Sequence, residues 1–270
     1  MDISTVKELW KPKADNRKAS VDWWNGMAEK FSARELPTAN ESIGMRIIEH
    51  ENMIGKGSKV LDVGCGGGRY SFALETLGAE VTATDFSPEM IKNAKEDGKN
   101  RGSKVCFSCD DWHTVSLKER NWEKQFDLVL ANMTPAVVSA DTFMKLIEAS
   151  RGWVVMVKPT RRTGSILDDL NRLVNAESDK KALDETLAYA FDLAWLTGGY
   201  PKLEYEQQVW KNDLPLEAAI TEYTLRISAT HELSDGDREK IRAYLENAAV
   251  DGIVHEITNT SIAAMYWHVK

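Results

Sequence analysis

At 270 residues the chain is long enough for a well-buried core, and its 43% hydrophobic and 28% charged residues are those of an ordinary soluble globular protein. The formal net charge of -8, with Lys and Arg interspersed among acids, argues against a phosphate-backbone binder and disfavours a nucleic-acid partner. No apolar run approaches the ~18 residues that span a bilayer, and the polar start, Met1 to Lys18, lacks the apolar centre of a secretory signal, so a cytoplasmic protein without membrane attachment is expected.

Trp10 and the stretch Val21-Asp22-Trp23-Trp24-Asn25-Gly26-Met27-Ala28-Glu29-Lys30-Phe31 precede the first strand. The aromatics suit a helix packed on a core through its stripe, or a cover that excludes water and holds one face of a substrate. Asn40 to Ile54 has apolar residues at 43, 47, 48 and 54 and reads as a helix covering a sheet. The strand Val60-Leu61-Asp62-Val63 then runs into Gly64-Cys65-Gly66-Gly67-Gly68-Arg69-Tyr70, with an amphipathic segment after it, Ser71 to Leu77. The next apolar run, Glu80-Val81-Thr82-Ala83-Thr84, ends on Asp85. Strand, glycine turn, helix, strand and acid make the layout of a nucleoside-binding half of a doubly wound sheet.

The glycines do not suit a dinucleotide. That fingerprint needs a third glycine for close helix packing, and its place falls on Arg69 counted from Gly64, or on Ser71 counted from Gly66. A carboxylate, Asp62, precedes the turn, where it could face an ammonium group but would serve a pyrophosphate poorly. Asp85 lies at about the 20-residue spacing of a ribose-binding acid, and each of its oxygens has lone pairs for a hydroxyl. Phe86 follows it, and Ser87-Pro88-Glu89 reads as a helix start with Ser87 as N-cap.

Lys104 to Cys109 reads as the third strand and leads into Asp110-Asp111-Trp112-His113. Phe126 to Ala131 is the fourth, ending at Asn132-Met133-Thr134-Pro135, and Arg151 to Pro159 the fifth. Arg161-Arg162 is a dense basic spot just beyond, either a solvated loop or a contact for an anionic substrate. Residues 164 to 195 form one or two helices, stopped by Gly198-Gly199-Tyr200-Pro201. Val209 to Leu214 and Gly252 to Lys270 read as the last two strands, with helical patterns between them at Leu216 to Ile227 and Asp235 to Ala248. Cys65, Cys106 and Cys109 are an odd, low cysteine count that fits a reducing compartment. Cys106 and Cys109 lie along a strand, with no second pair to complete a zinc site, so no metal is expected.

The strings VLDVGCGGGRY and TDFSPEMI resemble the first two motifs of the class I S-adenosylmethionine (SAM)-dependent methyltransferases, and the resemblance runs motif by motif over residues about 40 to 158. It implies a doubly wound, mostly parallel seven-stranded sheet with an antiparallel last strand, helices on both faces and an N-terminal helical lid; the helical patterns between the last two strands make an insert that lengthens the usual connection. It implies one domain over residues 1–270: a lid over 1–38, a cofactor-binding core over 39–158, and substrate-side helices and closing strands over 159–270. Asp62, Gly64, Cys65, Gly66 and Gly68 would lie along the amino-acid end of SAM, and Asp85 with Phe86 at the ribose. Asp110, or else Asp111, would take the adenine amine, and Trp112 would stack on adenine or cover the core. Asn132 would line the reaction centre or cap its turn. Trp23 and Trp24 would belong to the lid or to the packing beneath it.

Methyltransferases of base or glutamine amino groups carry Asn/Asp-Pro-Pro-aromatic after the fourth strand. Here Ala136 stands where the aromatic would be, so no platform for a flipped base lies in its usual place. The reading is therefore methyl transfer from SAM to a small molecule by in-line displacement, with S-adenosylhomocysteine as product. His113 is the nearest candidate base by sequence, with a loop histidine as the alternative. The rival readings are a methyltransferase of protein or RNA, and a non-catalytic SAM-binding module.

Overall fold

Strand β1 (Lys59–Val63) is buried from Val60 onward, as a strand covered on both faces must be. In the computed structural model, which describes residues 2–11, 17–31, 35–176, 180–228 and 231–270, it lies at the middle of one sheet. Three helices precede it: α1 (Ile3–Leu9), α2 (Arg17–Phe31) and α3 (Ile43–His50). After it come α4 (Arg69–Thr76), β2 (Glu80–Asp85), α5 (Pro88–Arg101), β3 (Cys106–Cys109), α6 (Leu117–Arg120), β4 (Phe126–Asn132) and α7 (Ala140–Ala149). The chain continues through β5 (Ser150–Gly164), α8 (Leu167–Leu173), α9 (Lys180–Leu196), β6 (Lys202–Pro215), α10 (Leu216–Ser228), α11 (Asp235–Ala248) and β7 (Ile253–His268).

The seven strands are ordered β3-β2-β1-β4-β5-β7-β6, with β6 at one edge. β1 pairs in parallel with both β2 and β4, β2 with β3, and β4 with β5. The last strand is antiparallel, and α10 and α11 form the expected insert between β6 and β7. The order reverses at β1: the chain steps outward to β2 and β3, then returns to the other side of β1 as β4. The crevice beyond the carboxyl ends of β1 and β4 is where ligands bind in such sheets.

Local chemistry sets the helix ends. Ser87 caps α5, its hydroxyl accepting from the Met90 N–H at 3.2 Å, with Pro88 at the first helical position and left-handed Gly102 closing the other end. Ser139 and Thr142 form a reciprocal cap on α7. Leu61 and Val63 pack in one apolar cluster with Phe143 and Trp267. Ala83, in register with Asp62, belongs to another with Phe72, Ile91 and Phe107. Side chains alternate along strands, so the two clusters lie on opposite faces, each under its own helices.

The chain divides into two compact units. One comprises residues 1–158, 186–205 and 263–270 and holds β1 to β4 whole. The other comprises residues 159–185 and 206–262, with a core of Leu170, Tyr223, Ile241, Leu245 and Val254. Inside that second core the buried Glu256 accepts from the Tyr223 hydroxyl at 2.8 Å and from the Leu167 N–H at 3.1 Å. No described helix is long and apolar enough to cross a membrane.

Several bounds differ from the sequence reading. β6 begins at Lys202 rather than Val209: Leu203-Glu204-Tyr205-Glu206 already alternates apolar and polar residues, as a strand with one solvated face does. β5 runs on through Pro159 to Gly164, and β3 shrinks to four residues.

Candidate active site

The turn after β1 is held by β2. The N–H groups of Gly64 and Cys65 both donate to the Thr84 carbonyl, at 2.7 and 3.0 Å, and the Gly66 N–H donates to Asp85 Oδ2 at 2.9 Å. Gly64 (φ 68°) has no room for a side chain: a Cβ there would sit 1.9 Å from Thr134 Oγ1 in the loop after β4. Gly66 (φ 53°) is the opposite case: a Cβ there would meet only Met90 Sδ, at an ordinary contact distance of 3.9 Å, so a side chain has room. Gly68 caps α4 in the left-handed region. Cys65 lies in the turn as a neutral thiol, held well above its ordinary range by burial and by Asp62 and Asp85.

Asp62 is 2% exposed and accepts from Ser71 Oγ at 2.6 Å. Burial pushes its carboxyl up to about 7; the Ser71 hydrogen bond opposes the rise and the nearby Asp85 adds to it. No cation pairs with Asp62 among the described residues. Asp85 uses its other oxygen, Oδ1, to accept from the Ser87 N–H at 2.9 Å. One carboxylate thus shapes both the glycine turn and the start of α5.

At the end of β3, Asp110 pairs with Arg120 through Oδ1, while its Oδ2 is buried with no hydrogen-bond partner among the described residues, as is Ser108 Oγ. Asp111 instead caps its own turn, Oδ1 accepting from the His113 N–H at 2.9 Å. Of the two acids, Asp110 has the unsatisfied atom. Trp112 is 2% exposed and donates from Nε1 to the Thr142 carbonyl at 2.9 Å. It covers the core, and a stacking role is corrected: its ring is already enclosed. His113 is partly buried, and its carbonyl accepts from Lys145, which also ties down the carbonyls of Trp112 and Val115. Phe86 is partly buried beside Asp85, and its carbonyl faces the Cys109 thiol.

At the end of β4, the turn cap is Thr134, whose Oγ1 accepts from the Ala136 N–H at 3.1 Å. Asn132 therefore does not cap it, and its Oδ1 is buried with no partner. Helix α3 comes close there, since a Cβ on Gly44 would lie 3.3 Å from that oxygen.

In α2, Trp23 is 44% exposed and meets Trp24 edge to face, centroids 4.6 Å apart. Trp24 packs on toward Phe31, at 5.9 Å. Asn25 Oδ1 accepts from Ser87 Oγ at 2.6 Å, which seats α2 beside the Asp85 turn. The tryptophans stood out in the sequence; Asn25, which anchors them, did not.

Sequence reasoning also missed Lys158. It follows Val157, the register partner of Asn132, midway along β5. Its partly buried Nζ donates to the Val137 carbonyl at 2.7 Å and has no carboxylate partner among the described residues. Burial alone brings it down to about 8. The available signal was an apolar strand, VVMV, ending on a lysine.

Residues 60–154 match the protein family described as a methyltransferase domain. Over that stretch the chain carries a methyltransferase domain, and its motifs resemble those of the class that uses SAM. The site residues fit SAM: a buried acid with no cation among the described residues, a glycine with room beside it, and unsatisfied acceptors at the ends of β3 and β4. The methyltransferase domain is similar to the ubiquinone biosynthesis O-methyltransferase of Xanthomonas campestris pv. campestris (strain B100), 59% identical over 92 residues, which are 34% of this chain and 32% of that one. The ubiquinone biosynthesis O-methyltransferase of Coxiella burnetii (strain Dugway 5J108-111) is 37% identical over 90 residues, 33% of this chain and 36% of that one. The chain thus spans about a third of the length of these curated relatives. In fold, the BH2331 protein of Bacillus halodurans C-125 matches with a TM-score of 0.52 at 15% identity, covering 84% of this chain and 99% of that one.

Proposed function

We propose that the protein transfers a methyl group from SAM to a small-molecule acceptor. The observation that carries this reading is the pairing of Asp62, buried and without a cation among the described residues, with the room beside Gly66. Asp62 would receive the ammonium of the cofactor, Asp85 the ribose hydroxyls, and Asp110 Oδ2 the adenine amine. Bound SAM supplies an already activated methyl carbon, so the protein has mainly to position the acceptor and exclude water. Asn132, with a buried carboxamide oxygen seeking a donor, would orient the acceptor's N–H or O–H. Lys158, brought down to about 8 by burial, would take the acceptor's proton, with His113 as the alternative. Trp23 and Trp24 would cover the acceptor from α2. The similarity to enzymes named for ubiquinone biosynthesis supports a small-molecule acceptor, and the missing aromatic after β4 supports it over a nucleic acid. Three free thiols fit a reducing, cytoplasmic setting.

The test is transfer of labelled methyl from SAM into separated metabolite, protein and RNA fractions of a cell extract. Label in the metabolite fraction is expected. Label confined to protein or RNA, or SAM binding without any transfer, would overturn the proposal.

A further inference from the structure

Some arginines of the second unit are paired with acids: Arg172 meets Asp169 at 2.6 Å, and Arg242 meets Glu217 at 3.0 Å. Arg162 on β5 is different. It is partly buried, its Nε is sealed from solvent, and that nitrogen has no hydrogen-bond partner among the described residues. No carboxylate forms a salt bridge with it among the described residues. What holds it is an aromatic face: its guanidinium carbon lies 4.7 Å from the centre of the Trp210 ring. The Trp210 indole is itself fixed, donating to Gln208 Oε1 at 2.8 Å.

Two charged groups act on Arg162. Arg226, on α10, repels it and is likewise without a salt bridge among the described residues. Glu256 attracts it, but both Glu256 oxygens are engaged, one by the Tyr223 hydroxyl and the other by the Leu167 N–H. The carboxylate facing Arg162 thus already serves neutral donors, and the buried Arg162 Nε–H is unmet among the described residues. A protein interior leaves such donors unmatched only at a cost that a bound acceptor removes.

We propose that Arg162, clamped on Trp210 and seconded by Arg226, forms a binding site for an oxyanion, a carboxylate or phosphate group of a small ligand. A guanidinium held over an indole keeps its remaining N–H groups as a fork, the geometry that takes two oxygens of one anion. The proposal concerns the second unit alone and does not depend on methyl transfer.

The test is calorimetric titration of the whole chain with inorganic phosphate and, separately, with acetate, at an ionic strength held constant with chloride. Saturable binding of at least one anion is expected; which one binds tells a phosphate site from a carboxylate site. Arg162→Gln and Arg226→Gln should each weaken that binding at least tenfold. Arg162→Lys, which keeps the charge but not the fork, should weaken it several-fold and serves if the glutamine variant fails to fold. Arg238→Gln, which removes an exposed arginine elsewhere in the unit, should leave it unchanged. No saturable binding of either anion overturns the proposal. So does equal weakening by Arg238→Gln, or an Arg162→Lys protein that binds like the parent.

Discussion

Asp62 and Asp85 lie near the carboxyl ends of neighbouring strands, and Asp85 adds to the cost of charge on Asp62. The folded Asp62 carboxyl, pushed up to about 7 from an ordinary 3.8, holds its proton where the unfolded chain has lost it. Its contribution to stability is therefore fully present below pH ~4 and is lost as pH rises through about 7. Asp62→Asn should flatten that dependence in a melting-temperature series between pH 4 and 8. The same variant should weaken SAM binding at least ~10-fold at pH 8, because a charge-assisted partner of the ammonium is gone. In the parent protein, calorimetry should show SAM affinity falling as pH drops below about 7. Lys158 carries the second prediction at this scale. As proton acceptor it would give kcat a rise with pH through about 8 and a plateau above. Lys158→Met should lower kcat by ~100-fold or more and abolish that rise, with SAM affinity unchanged. A variant that keeps the same pH profile would remove Lys158 from the mechanism. Asp62 and Asp85 were legible because a glycine turn and a fixed spacing flank them. Lys158 was not, since only the pairing of β4 with β5 sets Val157 beside Asn132.

Turns and their partners decide the next scale. Gly64 and Gly66 read alike in the sequence but differ in what surrounds them. Gly64→Ala forces a Cβ into Thr134 and should lower stability by ~1–3 kcal/mol, read as a shifted denaturation midpoint. Gly66→Ala has space and should cost only the strain of its positive φ, about 1 kcal/mol, while weakening SAM binding far more than folding. If both variants lose only stability, the turn is structural and holds no cofactor. Element positions in the first unit followed from short apolar runs bounded by caps that a reader can see, such as Ser87-Pro88. The roles of Asp111 and Trp112 did not, because a turn cap and a core indole look the same as ligand contacts until their partners, the His113 N–H and the Thr142 carbonyl, are known.

Across the whole molecule, the second unit was readable only as helical periodicity between strands. Its organising contact joins Glu256 to Tyr223, 33 residues apart, and no local pattern announces that. Tyr223→Phe leaves one buried carboxylate oxygen without its donor and should destabilise the protein by ~1–3 kcal/mol in chemical denaturation. A change below ~0.5 kcal/mol would mean that water or another donor takes the hydroxyl's place. The outermost strand, β6, has a different consequence. Its outer backbone edge could template another polypeptide's strand, and Tyr205 and Val209 along it are exposed and apolar. Lys202, Lys211 and Asp213 punctuate the same run and keep such neighbours at a distance. Purification in concentrated salt would mute those charges and invite aggregation, while dilute buffer would leave the guard in place.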